Sequence, residues 1–167
     1  MPKPENFNRL PEEVQNEIED IVQTNPIIDF QGKAKLPLIH YVIFKKHNDL
    51  LQMICANTSH HIVGNDENVC ALSASVMVQE AEMVNFLIKQ SQGEHGLTKD
   101  IFGRTALHIA AMVDGPGSIA ILGMVVDRFP TFINDKDSFG WTPLCYAAVS
   151  NNCEKINVLF CFWVPII

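Results

Sequence analysis

His108 and Cys145 stand at the same place in two near-copies of one segment, FGRTALHIAA at 102–111 and FGWTPLCYAA at 139–148. A cysteine and a histidine in neighbouring copies could form a nucleophile–base dyad. Such a dyad needs a base within hydrogen-bond reach and a thiol of depressed pKa. No positively charged neighbour of Cys145 in the sequence supplies that depression, so a buried structural thiol is expected. The chain has six histidines and five cysteines, but His60, His61, Cys55 and Cys70 do not fall at metal-site spacing. No glycine-rich phosphate loop and no G-x-S-x-G elbow is present. These residues predict no enzyme, no metal site and no cofactor.

What positions His108 and Cys145 is a repeat. Leu107 and Leu144 are 37 residues apart. Stepping back 35 residues reaches Leu72, and a further 34 reaches Leu38. Each of these leucines opens a short apolar helix, followed by a polar break and a second apolar helix. The breaks read KKHND, QEAE, DGPGS and SNNCE. The period is close to the roughly 33-residue unit of one stacked helical repeat. Thr105 and Thr142 can cap helices with their hydroxyls, and Pro143 suits a first helical turn. Gly103 and Gly140 sit where a tight turn favours φ above zero. Ala110-Ala111 and Ala147-Ala148 are small enough for close helix approach. The second helices carry Met83, Val84, Phe86, Leu87 and Ile88 in one copy, and Ile156, Val158, Leu159 and Phe160 in another, at helical spacing.

The segments DIFGRTALHIAA and DKDSFGWTPLCYAA resemble the ankyrin repeat, whose pattern runs D-x-x-G-x-T-P-L-H-x-A-A. Ile133 and Asn134 stand where the family usually links copies with Val-Asn. The resemblance covers residues 34–162, close in the last two copies and degenerate in the first two. Copy two has Cys70 for Thr, Ser73 for His and Ser75-Val76 for Ala-Ala. Copy one keeps little beyond Pro37, Leu38 and the period. Gly115, Pro116 and Gly117 lengthen the inter-helix loop of copy three. The resemblance implies an all-α ankyrin-repeat solenoid of stacked helix pairs with β-turn fingers. The repeats fall at about 34–64, 65–99, 100–136 and 137–167, in a domain over 31–167 after an N-terminal segment over 1–30. No copy can bury its apolar faces alone, so neighbours share one core. In the family, the threonine and histidine of T-x-x-H, here Thr105 and His108, make local hydrogen bonds that brace the stack.

The N-terminal segment predicts a helix over 11–24, with Pro11 at its start and Glu12 and Glu13 in its first turn, where the helix dipole favours negative charge. Val14, Ile18, Ile21 and Val22 form its apolar face, and it reads as a capping helix. LPEEVQNEIEDIV also resembles the opening of an F-box, which implies an adaptor for a ubiquitin ligase. At the other end, Phe160, Phe162, Trp163, Val164, Ile166 and Ile167 are apolar where a solenoid end is expected to be polar. That end is expected either to fold back as a cap, to be covered by another chain, or, as the preferred reading, to continue into a further domain.

The whole chain has 167 residues, 47% hydrophobic and 19% charged, with a formal net charge of −7. That balance excludes disorder. It also argues against nucleic acid as a partner, because phosphate backbones are held by Lys and Arg. The apolar run at 158–167 falls well short of the roughly twenty residues a membrane helix needs. The start, MPKPENFNRLPEE, has no signal-peptide pattern, and no CxxC pair occurs, so reduced thiols and a cytoplasmic location are expected.

The repeated letters serve the fold, and the varied ones face outward. By the family pattern, the outward positions of copy three are Ile101, Phe102, Arg104, Met112 and Val113. Those of copy four are Ser138, Phe139, Trp141, Val149 and Ser150. Those of copy two are Asp66, Glu67, Val69, Met77 and Val78. Tyr146 and Ile109 stand just behind, on the inner helices. Aromatic residues, Met and Arg are the types enriched at interface cores. Ile101, Phe102, Arg104, Met112, Val113, Phe139, Trp141, Tyr146 and Val149 are therefore the expected contact surface for a protein partner. Phe102 and Phe139, in the same register, could instead brace adjacent fingers. A second patch, Lys33, Lys35, Lys45 and Lys46, could steer an acidic partner or only keep an end repeat in solution. A protein-binding module is the expected function. The alternatives are the substrate-recruiting arm of a larger enzyme and the ubiquitin-ligase adaptor. Divergent stand-alone ankyrin proteins also resemble effectors that intracellular bacteria deliver into host cytosol.

Overall fold

A computed structural model describes residues 8, 10–24, 28–29, 36–57, 71–90 and 98–162. The chain divides into two compact units, 1–62 and 63–167. Outside the described residues lie Lys33, Lys35, His60, His61, Asp66, Glu67, Val69, Cys70, Trp163, Val164, Ile166 and Ile167.

In the first unit, α1 (Glu12–Thr24) places Glu12 and Glu13 in its first turn and buries Val14 and Ile18, with Leu10 buried just before it. A two-residue parallel bridge, β1 (Ile28–Asp29) with β2 (Leu36–Pro37), precedes α2 (Leu38–Phe44) and α3 (Asn48–Asn57). The bridge is absent from the sequence reading, because no apolar alternation marks so short a pair. Cys55 is half-buried on α3, and burial pushes its thiol up to about 11, far from a reactive thiolate.

The second unit holds three helix pairs: α4 (Ala71–Met77) with α5 (Ala81–Gln90), α6 (Ala106–Met112) with α7 (Ser118–Arg128), and α8 (Pro143–Val149) with α9 (Cys153–Cys161). The first helices pack side by side in the order α4, α6, α8, and the second helices in the order α5, α7, α9. The result is a two-layer solenoid. Its middle is driest: every residue of α6 from Ala106 to Ala111 is buried, as are Ile121, Leu122, Val125 and Val126 of α7.

One backbone device recurs where the helices of a pair meet. In the α4–α5 turn, Val78, Gln79 and Glu80 donate to Ala74, Val76 and Ser75. In the α8–α9 turn, Ser150, Asn151 and Asn152 donate to Tyr146, Ala148 and Ala147. In the first unit, Lys45, Lys46 and His47 donate to Tyr41, Ile43 and Val42 in the same pattern. The middle residue of each turn is left-handed: Lys46 (φ 60°), Gln79 (φ 58°) and Asn151 (φ 53°). Copy three departs from this, with residues 113–117 joining α6 to α7 and Gly117 taking the positive φ of 85°.

The second helices of the pairs share a buried pattern of two adjacent apolar residues, followed one turn later by one or two more. It reads Leu50-Leu51 then Ile54 in α3, Met83-Val84 then Leu87-Ile88 in α5, and Ile121-Leu122 then Val125-Val126 in α7. In α9 the first slot belongs to Lys155, fully buried, with Leu159 one turn on. Its ammonium donates to the carbonyls of Ala111 (3.1 Å) and Val113 (2.7 Å) at the C-terminal end of α6, and pairs with Asp114 at 2.8 Å. A cation there meets the negative end of the helix dipole. Asn152 completes the clasp, accepting from the Lys155 N–H and donating to Asp114. The hydrogen bond from Lys155 holds the Asp114 carboxyl below its usual range.

Two fingers, 100–104 and 137–141, project between the pairs. Each is closed by an aspartate. Asp100 Oδ1 accepts from Phe102 N–H (2.9 Å) and Arg104 N–H (2.8 Å). Asp137 Oδ1 accepts from Phe139 N–H and Trp141 N–H, both at 2.9 Å. The fingers also touch each other, Ser138 N–H donating to Phe102 O at 2.9 Å. Gly103 (φ 74°) lies under that contact: a Cβ there would meet Ser138 Oγ at 2.8 Å and Ser138 N at 2.9 Å. Gly140 (φ 79°) has nothing within 4 Å of the same position. Gly140→Ala should therefore lose only the left-handed penalty of about 1 kcal/mol. Gly103→Ala should lose about 1 kcal/mol more, because a backbone atom must move. Urea melts of the two variants compare them directly, and equal losses would mean the fingers separate freely.

Candidate partner-binding surface

Identical closing aspartates leave their second oxygens to different partners. Asp100 Oδ2 takes the guanidinium of Arg104 through Nε and a terminal nitrogen, both at 2.8 Å. Asp137 Oδ2 takes the hydroxyl of Tyr146 at 2.6 Å. Burial pushes the Asp137 carboxyl up, but the hydrogen bonds from Tyr146, Trp141 and Phe139 outweigh it and hold it below its usual value. Burial, with the Asp137 charge added, pushes the Tyr146 hydroxyl up.

Arg104 and Tyr146 are therefore half-buried structural members of the fingers as well as surface groups. Arg104 lies over the Phe102 ring (4.8 Å to the centroid) and points a terminal nitrogen at Met112 Sδ, 3.9 Å away. Met112 and Val113, expected to face outward, are half-buried. Met112 lies against that guanidinium, and the Val113 carbonyl receives Lys155.

The remaining expected contact residues lie open. Ile101 is 77% exposed, Val149 70%, Phe139 68%, Phe102 43% and Trp141 40%. Phe102 and Phe139 stack with centroids 6.3 Å apart and planes 27° from parallel, so they brace one another while each keeps an open face. Trp141 leans on Tyr146 at 5.3 Å. Arg104 also acts on the Tyr146 hydroxyl, so Phe139, Phe102, Arg104, Tyr146 and Trp141 make a linked chain of rings and one guanidinium across both fingers. Val149 stands one helical turn beyond Tyr146 on α8. In copy two, Met77 is exposed and Val78 half-buried. Of the lysine patch, Lys45 and Lys46 are exposed, with Lys45 over the Tyr41 ring at 5.7 Å.

His108 is fully buried. Its Nδ1 accepts from Thr105 N–H (3.1 Å), with the Thr105 hydroxyl 2.9 Å away. Its Nε2 lies 3.1 Å from the carbonyls of both Asp135 and Trp141. Carbonyls only accept, so these partners assign the proton to Nε2. Both nitrogens are committed, and copy three is tied to the finger of copy four. Cys145 is exposed rather than buried, with Thr142 Oγ1 3.4 Å from its sulfur. The two expectations correct together. No helix pair packs beyond α8 and α9 among the described residues, so the cysteine stays at the surface, and the Thr142 hydroxyl faces sulfur rather than capping a backbone N–H. Ala148 is exposed for the same reason, while Ala147 is fully buried against the stack. Among the described residues no group of three His, Cys, Asp or Glu side chains could hold a metal, and no helix is long and apolar enough to cross a membrane.

Burial lowers the His108 pKa below its ordinary value of 6.5, against the raising effects of the Trp141 carbonyl, Asp137 and Asp135. As pH falls below about 6.5, the unfolded chain takes up the proton first. Stability is then full above that value and declines below it, by up to about 1.4 kcal/mol per pH unit, until the folded value is reached. Urea midpoints at two pH values on either side of 6.5 should differ more in the wild type than in His108→Gln. Equal differences would assign the slope to other groups.

Paired short helices in two layers, with aspartate-closed fingers at one edge, define a helical repeat solenoid of the kind built for interaction. The family model for ankyrin repeats (3 copies) matches residues 75–162, more than half of the chain, and the chain belongs to the ankyrin-repeat family. No curated relative matches it. Ankyrin repeats are protein–protein interaction modules, and proteins built from them are typically not enzymes.

Proposed function

We propose that this chain binds a protein partner along the strip formed by Ile101, Phe102, Phe139, Trp141 and Val149, with Arg104, Met112, Val113 and Tyr146 behind it. The observation that carries this reading is the Phe102–Phe139 stack, formed between two hydrogen-bonded fingers yet open to solvent at 43% and 68%. Aromatic groups held at low entropic cost are the usual anchors of an interface. The shared turn geometry at Lys46, Gln79 and Asn151 supports reading 34–64 as a fourth, degenerate copy, preceded by an N-terminal segment with α1. Action as a bacterial effector in host cytosol rests on the resemblance alone, and the binding reading does not need it.

Capture from eukaryotic cytosol tests the strip. A protein held by the wild type should be lost by the Phe102→Ala/Trp141→Ala variant at equal melting temperature. Titrated against that protein, Trp141→Ala should weaken binding by about 2 kcal/mol, roughly thirtyfold. Intact binding with a lowered melting temperature would make Trp141 a brace for Tyr146 instead.

A further inference from the structure

Resting on that reading, we infer the chemistry of the partner: an uncharged polypeptide segment rich in aromatic or aliphatic side chains, seated on Phe102, Phe139, Trp141 and Val149 without salt links. The reason is the state of the charges around the strip. Arg104 is the obvious anchor for an acidic partner, but its Nε and one terminal nitrogen already hold Asp100 at 2.8 Å. The Asp100 side chain is only 4% exposed and that of Arg104 22%, so the Nε edge of the guanidinium, the one suited to a bidentate pair, is already filled from within the protein. Asp137 is the obvious anchor for a basic partner, but both its oxygens are taken by Phe139 N–H, Trp141 N–H and the Tyr146 hydroxyl. Lys99 pairs with Asp135 at 3.2 Å.

The finger segments 99–104 and 135–141 carry Lys99, Arg104 and Lys136 against Asp100, Asp135 and Asp137, a balance of zero in a chain of net charge −7. The acidic excess therefore lies elsewhere, and the strip has no net charge with which to steer an ionic partner. What it offers solvent is apolar: an isoleucine, two stacked phenylalanines, a tryptophan and a valine. The close approach of Gly103 to Ser138 fixes the spacing of the two fingers, so the rings are placed before a partner arrives.

The test uses displayed random peptides of about twelve residues, long enough to lie along such a strip. They are selected on the full chain and then screened on Phe102→Ala/Trp141→Ala at equal melting temperature. Selected peptides should be poor in charge and rich in aromatic and aliphatic residues, and should lose binding to the variant by about tenfold or more. Their affinity should change by less than about twofold between about 50 mM and about 500 mM salt. Charged peptides with steep salt dependence that still fail on the variant would overturn the chemistry and leave the surface standing. Peptides that bind both forms equally would overturn the surface reading as well. Failure to select any peptide would overturn a linear segment as the occupant. Self-association of the chain in sedimentation, lost in the variant, would replace that segment with a second copy.

Discussion

Lys155→Ala should lower the unfolding free energy by about 3 kcal/mol. The Lys155 ammonium is fully buried and hydrogen-bonds the carbonyls of Ala111 and Val113 at the end of α6. Truncation leaves both carbonyls without that donor and opens a gap beneath α9. The Asp114 carboxylate, 52% exposed, simply returns to water and contributes little. Lys155→Met separates the two losses. It restores the apolar kind of residue found at Leu50, Met83 and Ile121, refills the gap, and still removes the donor. It should recover roughly 1 kcal/mol of the loss. Urea denaturation reads both values. A loss below about 1 kcal/mol for Lys155→Ala would mean that water replaces the ammonium at both carbonyls. Hydrogen exchange should place the weakened protection in α8 and α9, the pair that the clasp ties to α6.

Asp137→Ala should cost about 2–3 kcal/mol. One buried carboxylate accepts from Phe139 N–H, Trp141 N–H and the Tyr146 hydroxyl, and alanine supplies no acceptor for any of them. Asp137→Asn keeps one acceptor oxygen for the two backbone groups and should cost about half as much. The same variants carry a second readout. If the finger is what presents Trp141, Asp137→Ala should lower affinity for selected peptides even where the fold survives. Unchanged stability would show that solvent satisfies the finger and that the carboxylate is not its closing element.

The proposed contact strip is partly legible in the sequence. Ile101, Phe102, Phe139, Trp141 and Val149 interrupt a repeated pattern with apolar letters, and all five prove exposed. Arg104 and Tyr146 were legible as finger and groove residues, but their engagement was not. The repeat places aspartate at both 100 and 137, yet only packing decides that one takes a guanidinium and the other a phenol. Cys145 was misplaced because its burial depends on what stacks beyond α8, which no residue in the copy encodes. Nothing in the repeat pattern marks Lys155. A lysine in a second helix reads as solvent-facing, and the signal that could find it is its slot, which is held by Leu50, Met83 and Ile121 in the other helices.

By itself, the sequence determined the repeat and its register through Leu72, Leu107 and Leu144, and its resemblance to the ankyrin pattern pointed to the family and to part of the exposed face. The repeat and its register follow from local rules: helical spacing of apolar residues and glycines at positions that favour positive φ. Only the tertiary structure decided which polar groups are consumed inside. His108, Lys155, Asp100 and Asp137 each act across a copy or across a turn, and a hydrogen bond between distant residues leaves no periodic trace. It exists only once stacking has removed water and left each buried donor or acceptor to the partner within reach.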